Sequence, residues 1–392
     1  MARALRPTLA VSLLVWALAA AACSSTASSS AKDAAIAAPD AAGDAKSATP
    51  LTYPVGHVDF VAVDAARGRT LRMTLWYPAD PGAAAAAQTG MPVEDFVPAG
   101  ADHDTFAALV AKAPAACTSR RTHSAPGAKP ASIQAQLPLA VFSHCLNCTR
   151  FSSFSIAESL ASQGIAVLAP DHTGNTIFDG IAGTSAPLGA DFLAVRAADV
   201  RFALDLALDP TSTVLPAEWR GRFDATKVGV YGHSFGGVTV GRVLSDDVRF
   251  KAGLAIAVPM GFLGVKITDI HTPVAFLLAQ EDNSITEAGN ILIRQNFADA
   301  TVPAWLWEVK DTGHFSFSNI ADIKEGYEPG CGDGVRQTVD GEKFTYLDND
   351  IARGIAQHYV AAYFRLHLLG DASAAAELET AQPAGTVTVQ VR

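Results

Sequence analysis

The residues Gly232-His233-Ser234-Phe235-Gly236 set a serine between glycines, inside the run VGVYGHSFGG. A G-x-S-x-G pattern is weak alone and gains weight with a strand before it and a helix after it. KVGVYGHS reads as a strand and FGGVTVGRVLSD as a helix, so that context is present. On so sharp a turn the hydroxyl of Ser234 projects from the sheet edge. Gly232 and Gly236 keep side chains out of the crowded space around it, and Gly237 lets the helix lie close to the sheet. The chemistry on offer is nucleophilic attack on an acyl carbonyl. The competing reading is a tight turn with an inert serine.

A serine nucleophile needs a base, and the base needs an orienting acid. For a strand–turn–helix nucleophile the chain order is serine, acid, histidine. That order reduces ten histidines to His271, His314, His358 and His367. His358 and His367 fall in a closing helix, and His271 precedes a strand, at the end away from the site. His314, in VKDTGHFSF, follows the last clear strand and is the candidate base. In TPVAFLLAQEDNSI, Asp282 stands just past a buried strand and is the candidate acid, with Glu281 the runner-up. Adjacent residues at a strand end point different ways, so only one of the two reaches His314. Asp311 lies near His314 in sequence but reads as a turn-shaping residue. An oxyanion needs preorganised N–H donors. The backbone of Phe235 is one candidate. Leu146, after FSH, is the other, with Cys145 the second choice.

The elements that must position these residues follow from the apolar pattern. HVDFVAVD and RTLRMTLWYP alternate across Ala65 to Gly68 and read as an antiparallel hairpin. LPLAVFSHC, IAVLAP, KVGVYGHS, AGLAIAVP, TPVAFLLAQ and AWLWEVK are short continuous apolar strands. Helical patterns alternate with them: FSSFSIAESLASQG, DFLAVRAADVRFALDLALD, FGGVTVGRVLSD, NSITEAGNILIRQNF and IARGIAQHYVAAYFRLHLL. In the second of these, Phe192, Val195, Val200, Phe202, Leu204 and Leu206 supply the apolar positions. This alternation predicts an α/β fold, a mainly parallel sheet covered on both faces. The expected catalytic domain spans 51–380, with an irregular insert at 79–136 and a tail at 381–392. The insert carries a short helical piece near DTFAALVAK and reads as a flexible excursion or a substrate cover.

The first residues read differently. Arg3 and Arg6 precede LAVSLLVWALAAAAC, an apolar run too short to span a bilayer, so residues 1–23 read as a secretory signal. Small residues directly before Cys23 resemble a bacterial lipoprotein signal, which would lipidate Cys23 and attach the chain to a membrane. Ala20 stands where that pattern favours Leu, and ordinary cleavage is the other reading. Residues 24–50 are a low-complexity Ser/Ala tether. Cys117, Cys145, Cys148 and Cys331 remain, an even count that suggests two disulfides in an oxidising compartment, with three pairings open. The Cys145-x-x-Cys148 spacing also raises a thiol-redox reading, without other support in the sequence. A net charge of −10 argues against a nucleic-acid partner.

At FSHCLN, LAPDH, GHSFGG and GHFSF the chain resembles the platelet-activating-factor acetylhydrolase and dienelactone-hydrolase-like branch of the α/β-hydrolases, close to bacterial polyester hydrolases. The opening YPVGHVDFVAVDAARGRTLRMTLWYPAD is similar to it too. The resemblance covers roughly residues 51–370 and is weakest across 80–136. It implies the α/β-hydrolase fold, with a sheet of the eight-stranded type, and carboxylic-ester hydrolysis without a cofactor. His144 and the Asp171-His172 pair match the branch, with His144 expected to order the oxyanion loop and His172 expected to be structural. No metal-ligand spacing accompanies them. Two departures matter. The branch reads FSHGLG where this chain has Cys145, and a disulfide from Cys145 or Cys148 would fix that loop in the glycine's stead. The animal acetylhydrolases place their acid after the strand that follows the nucleophile helix, where this chain has Ala257, and that absence favours Asp282. A serine nucleophile also argues against true dienelactone hydrolase activity, which uses cysteine.

The expected function is an exported serine carboxylic-ester hydrolase with Ser234, His314 and Asp282 as its triad, acting on short-chain or soluble esters. The alternatives are a phospholipid acetylhydrolase or lipase, a polyester hydrolase, and, outside enzymes, a surface-anchored binding protein on an inactive hydrolase fold. Phe235, Phe262, Phe315 and Phe317 are either lining for an acyl site or core.

Overall fold

The computed structural model describes residues 52–133 and 135–392. The expected signal segment 1–23, the tether 24–50 and Cys23 lie outside the described residues.

Strands β1 (Val55–Asp64) and β2 (Arg69–Pro78) form the opening hairpin, paired from Val55↔Pro78 to Asp64↔Arg69. Gly68 closes its turn at φ 63°, a conformation that glycine adopts without cost. The following strands are β3 (Leu137–Ser143), β4 (Ala166–Pro170), β5 (Phe223–His233), β6 (Phe250–Ile256), β7 (Val274–Ala279), β8 (Ala304–Val309) and β9 (Val387–Val391). With the two-residue strand Ala125–Pro126 they make a ten-stranded sheet, in the order β9-β8-β7-β6-β5-β3-β4-β2-β1-(Ala125–Pro126). The strands from β4 to β8 run parallel, and β2 and β9 join antiparallel at either side. This is the expected α/β-hydrolase architecture.

The central strands need cover on both faces because their side chains are apolar without alternation. All residues of β3, β4 and β7 are buried. Ala140, Phe142, Val167 and Ala169 join one apolar cluster, while Leu139, Val141, Ala166 and Leu168 join the other. Helices α1 (Phe154–Ser162) and α5 (Asn349–Phe364) cover the first face. Helices α2 (Ala190–Leu208), α3 (Phe235–Asp246) and α4 (Thr286–Asp299) cover the second.

Register aligns the loops that carry chemistry. Ser143 pairs with Gly232, so the chain leaves β3 and β5 at one level of the sheet. Ala279 pairs with Val309, which brings the turns after β7 and β8 together.

Three expectations change. The final TVTVQVR is not a loose tail, because Val387–Val391 forms an edge strand on β8 with Val387 buried. Its alternation of Val with Thr and Gln is that of a half-buried edge strand. The insert is not a flexible excursion: it holds the helices Ala84–Thr89 and Ala101–Lys112 and buries Val93, Phe96 and Phe106. Phe96 stacks on Phe151 at 4.8 Å, and the disulfide Cys117–Cys331 ties the insert to the segment beyond His314. In α2, small residues and charges take the buried face. Leu193, Arg196, Ala197, Asp199, Ala203 and Ala207 are buried alongside Val200 and Leu204, while Phe192, Val195, Phe202 and Leu206 are only partly covered.

Candidate active site

Ser234 sits between β5 and α3 at φ 54° and ψ −126°, a strained conformation for a residue with a side chain. Its N–H donates to the Ile256 carbonyl at 2.9 Å, which fixes the turn against β6. The glycines are required by space. A Cβ on Gly232 would meet the Gly236 carbonyl at 2.3 Å, and one on Gly236 would meet the Ser143 carbonyl oxygen at 1.9 Å. The turn is thereby packed tightly against the end of β3.

Ser234 Oγ lies 2.8 Å from His314 Nε2, and His314 Nδ1 lies 2.7 Å from Asp282 Oδ2. Asp282 is fully buried, and its other oxygen accepts from the N–H groups of Ser284 at 2.9 Å and Ile285 at 3.0 Å. Acceptance at both oxygens requires a donor at His314 Nδ1, which leaves Nε2 free to accept the serine proton. Neighbouring Glu281, also fully buried, turns the other way. It accepts from Gln337 N–H at 2.8 Å, Thr338 N–H at 3.2 Å, Arg336 Nη1 at 3.2 Å and the Thr338 hydroxyl. Asp311 turns at φ 55° and receives Arg336 Nη1 at 2.5 Å, away from the histidine. His358 and His367 pack in and beside α5, His367 against Trp305 at 5.3 Å, and His271 is exposed.

His314 is held by contacts that sequence reasoning did not identify. His233 donates from Nε2 to the His314 carbonyl at 2.8 Å. Burial, with the His314 ring adding to it, lowers the pKa of His233 to about 3, so it stays neutral. Phe315 stacks on Tyr327 at 4.7 Å, and the Tyr327 hydroxyl donates to the Asn147 carbonyl, which joins the histidine loop to the loop after β3. Phe235, Phe315 and Phe317 are buried core residues, and Phe262 alone of the four candidate lining aromatics is partly open.

The loop after β3 carries Leu146. Among the described residues, neither the Leu146 nor the Phe235 N–H has a hydrogen-bond partner, and Leu146 is partly exposed where Cys145 is closed off. His144 Nε2 accepts from His172 N–H at 2.9 Å, so its proton is on Nδ1, which donates to the Cys145 carbonyl at 2.7 Å. A trans peptide sets N–H opposite C=O, so fixing the Cys145 carbonyl fixes the direction of the Leu146 N–H. Cys145 and Cys148 form a disulfide with each other, which closes the loop. This pair and Cys117–Cys331 account for all four cysteines of the described residues. No group of three or more metal-ligating side chains occurs among the described residues.

Behind this loop is a buried polar network. His172 Nδ1 lies 3.1 Å from Asp199, and its Nε2 lies 2.9 Å from Ser143 Oγ. Arg196 donates to Ser143 Oγ at 3.2 Å and to the His144 carbonyl. Burial lowers the pKa of His172 to about 4 and also holds that of His144 well below the usual imidazole value. Sequence periodicity gave no signal for Arg196 or Asp199, because a helix of this kind ordinarily exposes its charges.

The chain matches the family described as platelet-activating factor acetylhydrolase, isoform II, over residues 45–179 and 203–320. Platelet-activating factor acetylhydrolase of Bos taurus is 28% identical over 222 residues, 42% of this chain and 48% of that protein. Its counterpart in Canis lupus familiaris is 32% identical over 157 residues, 30% of this chain and 34% of the relative. The chain thus spans about half the length, or less, of the curated relatives it matches. Among solved structures, a ferulic acid esterase from Streptomyces cinnamoneus superposes with a TM-score of 0.64 at 26% identity, covering 88% of this chain and 98% of that one.

Proposed function

Because the chain belongs to the platelet-activating factor acetylhydrolase isoform II family, we propose that it is a serine carboxylic-ester hydrolase working through Ser234, His314 and Asp282. The observation that carries this is the unbroken hydrogen-bonded sequence Ser234–His314–Asp282, at 2.8 and 2.7 Å, with the serine on a strained turn. His314 Nε2 takes the hydroxyl proton as Ser234 Oγ attacks the ester carbonyl. The oxyanion is received by the N–H groups of Phe235 and Leu146. His314 returns the proton to the leaving alcohol. Water, activated by the same nitrogen, then cleaves the acyl-enzyme. Asp282 holds the tautomer throughout and stabilises the imidazolium.

The substrate is a short-chain or soluble ester. The family match favours acetyl esters of phospholipid type, and the ferulic acid esterase likeness favours aromatic acyl groups. Hydrolysis of p-nitrophenyl esters from acetate to palmitate, beside an aryl-acrylate ester, separates these. Ser234→Ala is the blank. Loss of all turnover in that variant supports the reading, and equal turnover in both proteins overturns it.

Export is part of the same reading. Two disulfides suit an oxidising compartment, and the leader at 1–23 with Cys23 at its end provides for lipid attachment. Mass spectrometry of the mature N-terminus tests it: diacylglyceryl on Cys23 supports an anchor, and an unmodified terminus opposes it.

A further inference from the structure

Arg196 is fully buried in α2 and has no carboxylate within ion-pair distance among the described residues. Its guanidinium donates only to neutral groups: Thr239 Oγ1 at 3.2 Å, Asn175 Oδ1 at 2.5 Å, Ser143 Oγ at 3.2 Å and the His144 carbonyl. Asp199, one turn further on, is taken by Arg67 and Arg69 at 2.8 Å and by His172 at 3.1 Å. Burial lowers the Arg196 pKa to about 9 and Asp199 opposes that, so the group is a cation at neutral pH. A buried charge without a counter-charge is costly to a fold.

Its position suggests what it does. One nitrogen fixes the His144 carbonyl, and with it the peptide plane that leads into Cys145 and Leu146. Another meets Thr239, whose hydroxyl donates to the Phe235 carbonyl at 2.9 Å. The guanidinium carbon lies 4.6 Å from the centre of the Phe235 ring. One side chain therefore touches the supports of both N–H groups assigned to the oxyanion.

We propose that Arg196 is a positioning residue of the oxyanion hole, which clamps its two halves together and sets an unpaired positive charge behind them. The proposal rests on the esterase reading above. Negative charge grows on the carbonyl oxygen only as the tetrahedral species forms, so a fixed cation behind the donors favours that species over the bound ester. The water-poor surroundings leave its field weakly screened.

Asn175→Asp tests this with little change of shape. Asn175 is buried and its Nδ2 has no partner among the described residues, so a carboxylate there keeps the contact to Arg196 and adds a counter-charge. A merely structural arginine would be served as well or better by that ion pair. The proposal expects N175D to melt no lower than the parent while kcat for p-nitrophenyl acetate falls about tenfold or more, with KM changed less than about threefold. A trifluoromethyl ketone, which forms the same oxyanion, should bind more weakly in proportion to the loss in kcat/KM. Arg196→Lys, which keeps the charge and loses the fork, should retain more activity than Arg196→Met. A folded N175D with kcat within about twofold of the parent overturns the proposal. Should N175D not fold, R196K and R196M of equal activity overturn it, and R196K well above R196M supports it. A parent that shows no Ser234-dependent turnover defeats the esterase reading instead, so the two failures are distinct.

Discussion

Asp282 and Glu281 are adjacent, both fully buried and both hydrogen-bonded, yet the structure predicts opposite consequences for neutralising them. In Asp282→Asn one oxygen still accepts from Ser284 and Ile285, and the amide nitrogen is turned toward His314 Nδ1, where Asp282 Oδ2 stood at 2.7 Å. Two donors cannot face each other, so the imidazole proton moves to Nε2, which can then no longer accept from Ser234. The comparable change in serine proteases costs about 10⁴ in kcat, and a fall of that order is expected here with the fold intact. In Glu281→Gln the carboxylate that receives Gln337 N–H, Thr338 N–H, Thr338 Oγ1 and Arg336 loses one oxygen. Arg336 keeps Asp311 and Glu342, which limits the damage. A cost of about 2–4 kcal/mol follows from stranding one or two buried donors, and a fall in Tm of several degrees, with kcat within about fivefold of the parent. Thermal melts and p-nitrophenyl acetate kinetics on the two variants give the comparison. A D282N protein with more than about a tenth of parental kcat would refute the assignment, as would E281Q falling as far as D282N in kcat.

Gly236→Ala should fold poorly or lose at least about 100-fold in kcat, because its Cβ would lie 1.9 Å from the Ser143 carbonyl oxygen; kinetics beside a melt measure both. The two disulfides should separate stability from activity. Breaking Cys117–Cys331, 214 residues apart in sequence, removes about 5 kcal/mol by loop entropy. Breaking Cys145–Cys148, three apart, removes far less but frees the Leu146 loop, so kcat falls with little change in Tm when C145S/C148S is assayed. Stability should decline as pH falls. His57 and His172 have folded pKa values lowered to about 4 by burial, and His233 to about 3, so each binds protons more weakly folded than unfolded. Their contribution is complete above pH ~6.5 and is lost as pH falls toward ~4, read from urea midpoints against pH. Glu158 has the opposite sign: burial raises it to about 7, so its contribution is complete below pH ~4.5 and is lost as pH rises through ~7. Glu158→Gln should therefore steepen the net fall in stability from pH ~6.5 to pH ~4.5.

Much of the site is legible in the residues. Ser234 announces itself because strand, turn and helix are all local, and each has a local pattern. His314 follows from chain order and from its place after a strand. The choice between Asp282 and Glu281 needed the structure, since both stand at the strand end and only the turn geometry sends one to His314 and the other to Arg336. The disulfide pairing is a fact of three-dimensional proximity with no trace in spacing. The closing strand Val387–Val391 carries little signal of its own, because five residues of edge strand resemble a tail until the pairing to β8 is seen. Arg196 is the largest omission. Helical periodicity sorts apolar from polar residues, and a charge turned inward to hold a loop from another part of the chain breaks that rule.

The account rests on Ser234 as the one activated nucleophile. Treatment with diethyl p-nitrophenyl phosphate followed by intact-mass and peptide analysis tests that directly. The account predicts one diethylphosphoryl adduct per chain, on Ser234, absent from Ser234→Ala and strongly slowed in Asp282→Asn. A folded protein that gains no adduct, or gains it at another residue, would contradict it.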